Sequence, residues 1–265
     1  MTKEVARKTL IVGNWKMHLN THQASLLLHK LAEKTPVHQG IQTVLCPSVM
    51  SLQSLSLQVN HRQFKLGAQN AYWRDEGAFT GEVSMTMLRG LVDFVIIGHS
   101  ERRHIFGDHD RDIRHKVQAA FRNGIKPILC VGETAREHAD GETLHVLHDQ
   151  VVSGLLNVTS DEIPDLTIAY EPVWAIGTGE AASPADLKRA AKTIRKQIAA
   201  LYGEKAAAKV RILYGGSVTA ENASDFLGVE GVDGLLVGGA SLKADEFASI
   251  VEKAHNSRKQ KRVGA

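Results

Sequence analysis

Polar side chains that could move a proton follow three short apolar runs of the sequence. Glu171 comes directly after LTIAY, His99 directly after FVIIG, and Lys16 shortly after TLIVG. Taken singly, a lysine in such a place is usually a solvated charge, and a histidine after glycine is usually structural. Brought to one cleft, a carboxylate base, an imidazole and an ammonium group suit removal of a proton from a carbon beside a carbonyl. The sequence therefore predicts an acid–base site, with Asn14 and Glu101 close to these groups.

The residues after Glu171 have an unusual composition for a loop that faces water. Pro172 prevents the preceding strand from continuing, and the apolar run VWAI is closed by Gly177 and Gly179. Glycine permits the backbone rotation that a hinge needs. We therefore predict a lid that closes over a substrate beside Glu171 and excludes water.

Two glycine pairs, in YGGS (214–217) and VGGAS (237–241), suggest a site for an anion. Glycine lets the backbone come close to a ligand and point its N–H groups at it. Either pair alone is a common loop composition. Because they follow the last two of eight candidate strands, where barrel enzymes often bind phosphate, we predict a phosphorylated substrate.

The elements that position these groups recur along the whole chain. Eight runs have the length and composition of buried strands: TLIVG, QTVLC, FKLGA, FVIIG, KPILC, LTIAY, VRILYG and DGLLVGG. Between most of them lie segments with apolar residues at helical spacing. Ser183 with Pro184 predicts a helix start, and Gly124 and Gly203 predict helix ends. Strand and helix alternating about every thirty residues indicates a parallel sheet covered by helices.

This α/β pattern favours a closed (β/α)8 barrel over an open doubly wound sheet. The open sheet would carry a glycine fingerprint after its first strand, but GNWKM stands there. We predict one domain over residues 1–265, with the barrel at 9–254 and a basic C-terminal tail at 255–265. The carboxyl ends of the strands then meet at one face, where barrel active sites form.

Composition argues against several other classes of protein. The chain is 43% hydrophobic, but no uninterrupted apolar run is long enough to span a bilayer, and the first residues lack a signal-peptide core. A cytoplasmic protein is therefore expected. Cys46 and Cys130 each end a strand-like run, so we expect two buried thiols and no disulfide.

The basic tail and one histidine-containing segment suggest alternatives that we weigh and set aside. The tail SRKQKRVGA at 257–265 has no interleaved aromatic residues, so we expect a frayed terminus and no nucleic-acid or membrane partner. The segment FGDHDRD places His109 among aspartates, near His104, but its spacing fits no zinc pattern. Because a helix dipole favours acidic residues in a first turn, we expect a solvated helix start and no metal there.

Eight motifs, in order along the chain, resemble those of the triosephosphate isomerase family. They are GNWKM (13–17), GAQN (67–70), GAFTGEVS (77–84), IIGHSERR (96–103), CVGE (130–133), AYEPVWAIGTG (169–179), YGGSV (214–218) and LLVGGASL (235–242). The resemblance runs from Val12 to Ala254 and implies a single-domain (β/α)8 TIM barrel. It also implies interconversion of dihydroxyacetone phosphate and D-glyceraldehyde 3-phosphate, with no cofactor or metal.

The resemblance implies a role for each residue of the site. Glu171 would take the proton beside the carbonyl, giving an enediolate, and would return it to the neighbouring carbon. Neutral His99, at the N-terminus of a helix, would donate a hydrogen bond to the carbonyl oxygen. Lys16, with Asn14 beside it and Glu101 orienting it, would supply positive charge. The phosphate would bind the backbone N–H groups of Gly177, Ser217, Gly238 and Gly239.

The family also implies a homodimer, in which the loop containing GAFTG reaches into the neighbouring subunit. Thr80 would touch the partner's catalytic loop, and Glu82 would pair with Arg102. Tyr72 and Trp73 are apolar enough to be buried there. A mobile surface loop of a monomer is the alternative.

Two other functions stay open at this stage. The motifs report proton transfer and phosphate capture but not the length of the substrate, so a related isomerase of a four-carbon ketose phosphate also fits. A barrel that serves as a binding or adhesion protein would be free to lose its base. The presence of Glu171 and His99 favours an enzyme.

Overall fold

Eight parallel strands close into a barrel in the computed structural model, which describes residues 7–176 and 181–263. The strands follow one another around the barrel in chain order. They are β1 (Thr9–Asn14), β2 (Ile41–Cys46), β3 (Phe64–Ala68), β4 (Phe94–Ile97), β5 (Lys126–Val131), β6 (Thr167–Tyr170), β7 (Arg211–Tyr214) and β8 (Gly234–Val237). The predicted (β/α)8 barrel is confirmed, and each of the eight apolar runs overlaps one strand.

The barrel closes where β8 pairs with β1, from Leu10 opposite Gly234 to Gly13 opposite Val237. A Cβ atom on Gly234 would lie 1.9 Å from the carbonyl oxygen of Leu10. Only glycine therefore allows the first and last strands to approach closely enough to form the ladder.

Helices between the strands cover the outside of the barrel. They are α1 (Thr21–Lys34), α2 (Val49–Ser56), α3 (Met85–Leu88), α4 (Ser100–His104), α5 (Asp110–Arg122), α6 (Ala135–Ala139), α7 (Thr143–Gly154), α8 (Pro184–Tyr202), α9 (Glu204–Ala207), α10 (Ala223–Gly228) and α11 (Ala244–Val263). In the described ranges, none of these helices is long and apolar enough to cross a membrane.

Capping residues set the ends of the longer helices, as the sequence predicts. The Ser183 side chain accepts a hydrogen bond from the Asp186 N–H, and Pro184 is the first residue of α8. Gly203 follows α8 with a φ of 83°, and Gly124 lies beyond α5 with a φ of 70°. Both glycines adopt a left-handed conformation that other residues avoid.

Alternation along the strands divides the core into two layers. Leu10 and Val12 point into the barrel, where they pack with Cys46 and Cys130, whereas Ile11 packs against the helices. Burial raises the pKa of both thiols, and both are free, as expected from the sequence. Because side chains fill the barrel interior, a substrate can bind only at its rim.

The end of the chain differs from the sequence-based expectation. Residues 257–263 continue α11, so the prediction of a frayed terminus is wrong for this segment. The Arg258 side chain lies across Gly40, where an added Cβ would come 2.6 Å from its Cδ, and its Nη1 donates to the carbonyl oxygen of Arg7 at 2.5 Å. These contacts dock the last helix beside the beginnings of β1 and β2.

Candidate active site

Glu171 follows β6 directly and is 1% exposed. Its Oε2 accepts a hydrogen bond from the Ser100 backbone N–H at 2.8 Å, and its Oε1 lies 3.3 Å from His99 Nε2. A Cβ atom on Gly215 would lie 2.9 Å from Glu171 Cγ, so the first glycine after β7 leaves room for the carboxylate arm. The structure thus brings the predicted base and the predicted imidazole into contact.

His99 is the residue that caps the N-terminus of α4. Its Nδ1 accepts a hydrogen bond from the Glu101 backbone N–H at 3.2 Å. Because an accepting nitrogen carries no proton, the proton of a neutral His99 ring lies on Nε2. That nitrogen faces Glu171, and only 6% of the residue is exposed.

Lys16 has a left-handed backbone, with a φ of 52°. This conformation is costly for a residue other than glycine. The backbone N–H of Lys16 donates to Asn14 Oδ1 at 3.1 Å, and its carbonyl accepts from Gln69 Nε2 at 2.9 Å. The Nζ atom lies 2.6 Å from Glu101 Oε1. Asn14 and Glu101 therefore both contact the lysine, and so does Gln69, from the motif GAQN, for which the sequence predicts no role.

A cavity of about 360 Å³ opens at this end of the barrel. Its wall includes Asn14, Lys16, His99, Ser217, Gly238 and Gly239. Glu171 is not among the described residues that form this wall, because its carboxylate faces Ser100. To reach a molecule in the cavity, the carboxylate has to leave the Ser100 N–H.

Both glycine pairs line this cavity. A Cβ on Gly216 would lie 2.2 Å from the Tyr214 hydroxyl oxygen, so a side chain there would displace the Tyr214 ring. Gly238 precedes a 3-10 turn, Gly239–Leu242, and lies beside Lys16, whose Nζ is 4.0 Å from the position of a Cβ on Gly238. Backbone amides and an ammonium group together suit a small anion. The predicted Gly177 contact lies outside the described residues.

The residues on both sides of Glu171 contact a second glutamate, Glu133, for which the sequence predicts no role. Glu133 Oε1 accepts hydrogen bonds from the Tyr170 hydroxyl at 3.0 Å and from Trp174 Nε1 at 2.9 Å. The Glu133 carbonyl accepts from the Val173 N–H at 3.0 Å. Trp174 lies in a 3-10 turn, Val173–Ala175, which begins the predicted lid. Burial raises the pKa of Tyr170, and the nearby Glu133 carboxylate adds to this effect.

The segment FGDHDRD contains the predicted helix start, with Asp110 and Asp112 in the first turn of α5 and His109 exposed, but Asp108 is not solvated as expected. Asp108 is largely buried and pairs with Arg102 Nη2 at 2.9 Å and with the buried Lys116. Burial alone would raise the pKa of Asp108, but hydrogen bonds from Arg102 and Lys116 outweigh it and hold the pKa below its ordinary value. Asp110 pairs with Arg103 at 2.6 Å. Within the described ranges, no three histidine, cysteine or acidic side chains are grouped so as to hold a metal ion.

The fold defines a (β/α)8 barrel whose conspicuous polar side chains gather around a cavity at the carboxyl ends of its strands. The profile of the family described as triosephosphate isomerase matches residues 9–254. Proteins named triosephosphate isomerase are similar over nearly the whole chain. The one from Carboxydothermus hydrogenoformans is 45% identical over 93% of this chain and 98% of the relative. Those from Moorella thermoacetica and Streptococcus suis are 46% and 41% identical over 92% and 93% of this chain, and over 98% and 99% of their own lengths.

A family match over residues 9–254 establishes which family the chain belongs to. The chain belongs to the triosephosphate isomerase family, and it is an intramolecular aldose–ketose isomerase.

Proposed function

We propose that this chain interconverts dihydroxyacetone phosphate and D-glyceraldehyde 3-phosphate, a step of glycolysis and gluconeogenesis, with Glu171 as the base. The observation that carries the proposal is the 3.3 Å approach of Glu171 Oε1 to His99 Nε2 beside the Lys16 ammonium. A base, a neutral hydrogen-bond donor and a fixed cation are the groups that enolisation of a phosphorylated ketose needs.

Starting from dihydroxyacetone phosphate, Glu171 removes a proton from the carbon next to the carbonyl, and the electrons of the broken C–H bond form the enediolate. His99 donates its Nε2 proton as a hydrogen bond to the carbonyl oxygen, which becomes more basic as charge develops on it. Lys16 lowers the energy of that charge, because its Nζ is fixed by Glu101 at 2.6 Å. Glu171 then returns the proton to the neighbouring carbon, while the hydroxyl proton of the first carbon passes by way of His99 to the former carbonyl oxygen, so that no proton is gained or lost.

Charge and backbone geometry support the assignment of the phosphate position. Ser217, Gly238 and Gly239 line the same cavity as Lys16. Asn222 Nδ2 donates to the Ser217 carbonyl at 3.0 Å, which fixes the loop after β7. We assign the phosphate to the N–H groups of these three residues and of Gly177, with Lys16 between phosphate and carbonyl.

Steady-state assays with D-glyceraldehyde 3-phosphate and with a four-carbon ketose phosphate test the proposal. We expect the three-carbon substrate to give the larger kcat/KM, and Glu171→Gln to lower kcat by about a thousandfold. Glu33→Gln is the matched control, because the Glu33 side chain is largely exposed on α1. Wild-type protein that isomerises neither substrate would refute the proposal.

We further propose a homodimer formed by the segments, both loop and helix, that follow β1 to β4. Large apolar side chains are exposed on all four of them, namely Met17, Met50, Phe79 and Phe106. Such a concentration of apolar surface is typical of an interface between protein chains. Tyr72, Trp73 and Phe79 pack ring against ring, at 4.0 Å and 4.7 Å between centroids, which stiffens the loop that carries Thr80. Arg102 pairs with Asp108 in this chain, and its pairing with Glu82 is assigned to the dimer contact.

Two exposed side chains at opposite ends of α2 provide a matched test of the dimer. Met50 lies near the start of α2 and Leu57 just beyond its end, and both are more than four-fifths exposed. We expect Met50→Asp to shift the protein toward monomer in sedimentation at micromolar concentration and Leu57→Asp to leave it unchanged. Wild-type protein that sediments only as a monomer would rule out the dimer.

A cytoplasmic location is also proposed, since both cysteines are free thiols, as is usual in a reducing compartment. Recovery of the activity in a secreted or periplasmic fraction would contradict it.

A further inference from the structure

A histidine with no role in the reaction proposed above packs against the turn that follows the base. His138 lies in α6, and its ring stacks on the indole of Trp174 with 4.5 Å between centroids and 26° between planes. Its Nδ1 is 3.4 Å from Glu133 Oε1 and 3.5 Å from Thr143 Oγ1. His138 thus contacts both the turn and the carboxylate that holds it.

The helix that carries the His138 ring, α6, is fixed at its start. Thr134 and Glu137 form a capping box at the start of α6, in which the Thr134 N–H donates to Glu137 Oε2 at 2.7 Å. Trp174, by contrast, belongs to a short 3-10 turn, and its indole is only partly buried. The histidine is therefore the fixed member of the stack and the tryptophan the member that can leave.

The arrangement held by this stack is not the one in which the base can react. Glu171 is bonded to the Ser100 N–H and lies outside the described wall of the cavity. Trp174 follows Glu171 by three positions, and Glu133 Oε1 ties it to Tyr170, the residue before the base. A movement of Glu171 toward the cavity consequently pulls on the same turn that His138 holds.

We propose that His138 is a positioning residue that holds the Val173–Ala175 turn in its resting arrangement and releases Trp174 when the phosphorylated substrate binds. The inference rests on the proposed function, since it assigns the resting state to the cycle of that reaction. A contact made only in the resting state has to be broken on binding, so it weakens ligand affinity by the strength of the contact.

Calorimetric titration with glycerol 3-phosphate, which lacks a carbonyl and cannot be isomerised, measures this cost directly. A stacked aromatic pair changes an equilibrium constant by a factor of about two to ten. Because the His138 side chain is 41% exposed, we expect its effect on the dissociation constant to lie near the lower end, at about threefold. We expect His138→Ala and His138→Gln to bind about threefold more tightly than wild type and to lower KM equally without raising kcat. His138→Phe keeps a stacking ring and should stay within about 1.5-fold of wild type.

His145→Ala is the matched control, because this histidine lies on the neighbouring helix α7 and is 76% exposed. A purely structural role of His138 would lower the melting temperature without tightening the complex. Suppose that the wild-type protein is active, but that His138→Ala and His138→Gln both bind glycerol 3-phosphate no more tightly than wild type does. That result would overturn this inference and leave the proposed function standing. Wild-type protein with no isomerase activity would instead overturn the proposed function.

Discussion

Replacement of Gly132 by alanine should displace Glu171, the proposed base, without touching the substrate. A Cβ atom on Gly132 would lie 1.7 Å from the carbonyl oxygen of Glu171 and 2.5 Å from its carbonyl carbon. Both atoms belong to the backbone, which cannot rotate away as a side chain can. On its other side, Gly132 is held by Gln150, which accepts from its N–H at 2.8 Å and donates to its carbonyl at 3.2 Å. The strain therefore falls on Glu171.

The size of the displacement sets the expected loss of activity. Real Cβ contacts are almost never shorter than 3.0 Å, so the two backbones have to separate by more than an ångström. A misplacement of about 1 Å in a catalytic group costs about a hundredfold in rate. We expect Gly132→Ala to lower kcat by about that factor, and overpacking to lower the free energy of unfolding by about 1–3 kcal/mol.

Two other glycines complete a graded series. A Cβ on Gly215 would lie 2.9 Å from Glu171 Cγ, an atom of a side chain that can shift, so Gly215→Ala should cost less than about tenfold in kcat. A Cβ on Gly228, the last residue of α10, would meet nothing within 4 Å, so Gly228→Ala should keep full activity.

Steady-state kinetics with dihydroxyacetone phosphate, together with urea unfolding of each variant, measure the series. The order of losses is the critical result, because all three variants add the same methyl group. Wild-type kcat in folded Gly132→Ala, or a larger loss in Gly215→Ala than in Gly132→Ala, would refute the reasoning.

Two further predictions concern buried polar groups. Asp108→Asn should lower the free energy of unfolding, measured by urea titration, by about 3–5 kcal/mol, because it leaves the Lys116 charge buried without its partner carboxylate. The double variant Asp108→Asn with Lys116→Met should recover most of this loss, because it removes the buried charge as well. Because the pKa of Asp108 is lower in the folded than in the unfolded chain, its carboxylate stabilises the fold fully above the unfolded pKa. This stabilisation is lost as pH falls through the folded pKa. In the double variant, the free energy of unfolding should therefore fall less steeply below about pH 4 than in wild type. Tyr170→Phe should cost about 1–2 kcal/mol in urea unfolding, since it removes the buried hydrogen bond to Glu133; an unchanged midpoint would contradict this.

The strands and the groups at their ends could be predicted because parallel barrel strands are buried on both faces. Such strands are short, nearly continuous apolar runs, so the first polar residue after each run marks the rim. Glu171, His99 and Asn14 were found in this way: His99 and Asn14 line the same cavity, and Glu171 contacts His99. Their roles in catalysis stay predictions.

The missed contacts depend on atoms or distances that a one-dimensional pattern does not contain. The anchor of Glu171 is the backbone N–H of Ser100, which any residue could supply. The left-handed Lys16 is held by Gln69, a side chain 53 positions away. Glu133 reads as a polar residue after β5, and its role as acceptor for Tyr170 and Trp174 depends on the spacing of β5 and β6.

The errors at Asp108 and at the tail have a common physical cause. Charged side chains in sequence suggest solvent, but Asp108 meets two cations and Arg258 lays its apolar stem over Gly40. Long basic side chains can cover a surface while keeping their charge in water or on a carbonyl. Charge density alone therefore could not separate a frayed terminus from a docked helix.

The contacts of α11 also bring the last helix of the molecule beside its first strand. Arg258 contacts the Arg7 carbonyl, and Arg7 pairs at 2.9 Å with Asp233, which directly precedes β8. The last helix and the beginning of the first strand thus lie together at the end of the barrel opposite the cavity. Joining α11 to β1 through a linker, with new termini cut in another loop at the same end, should yield a permuted chain that keeps the active-site loops intact. Evolution or design could in this way begin the chain at any of its strand–helix units.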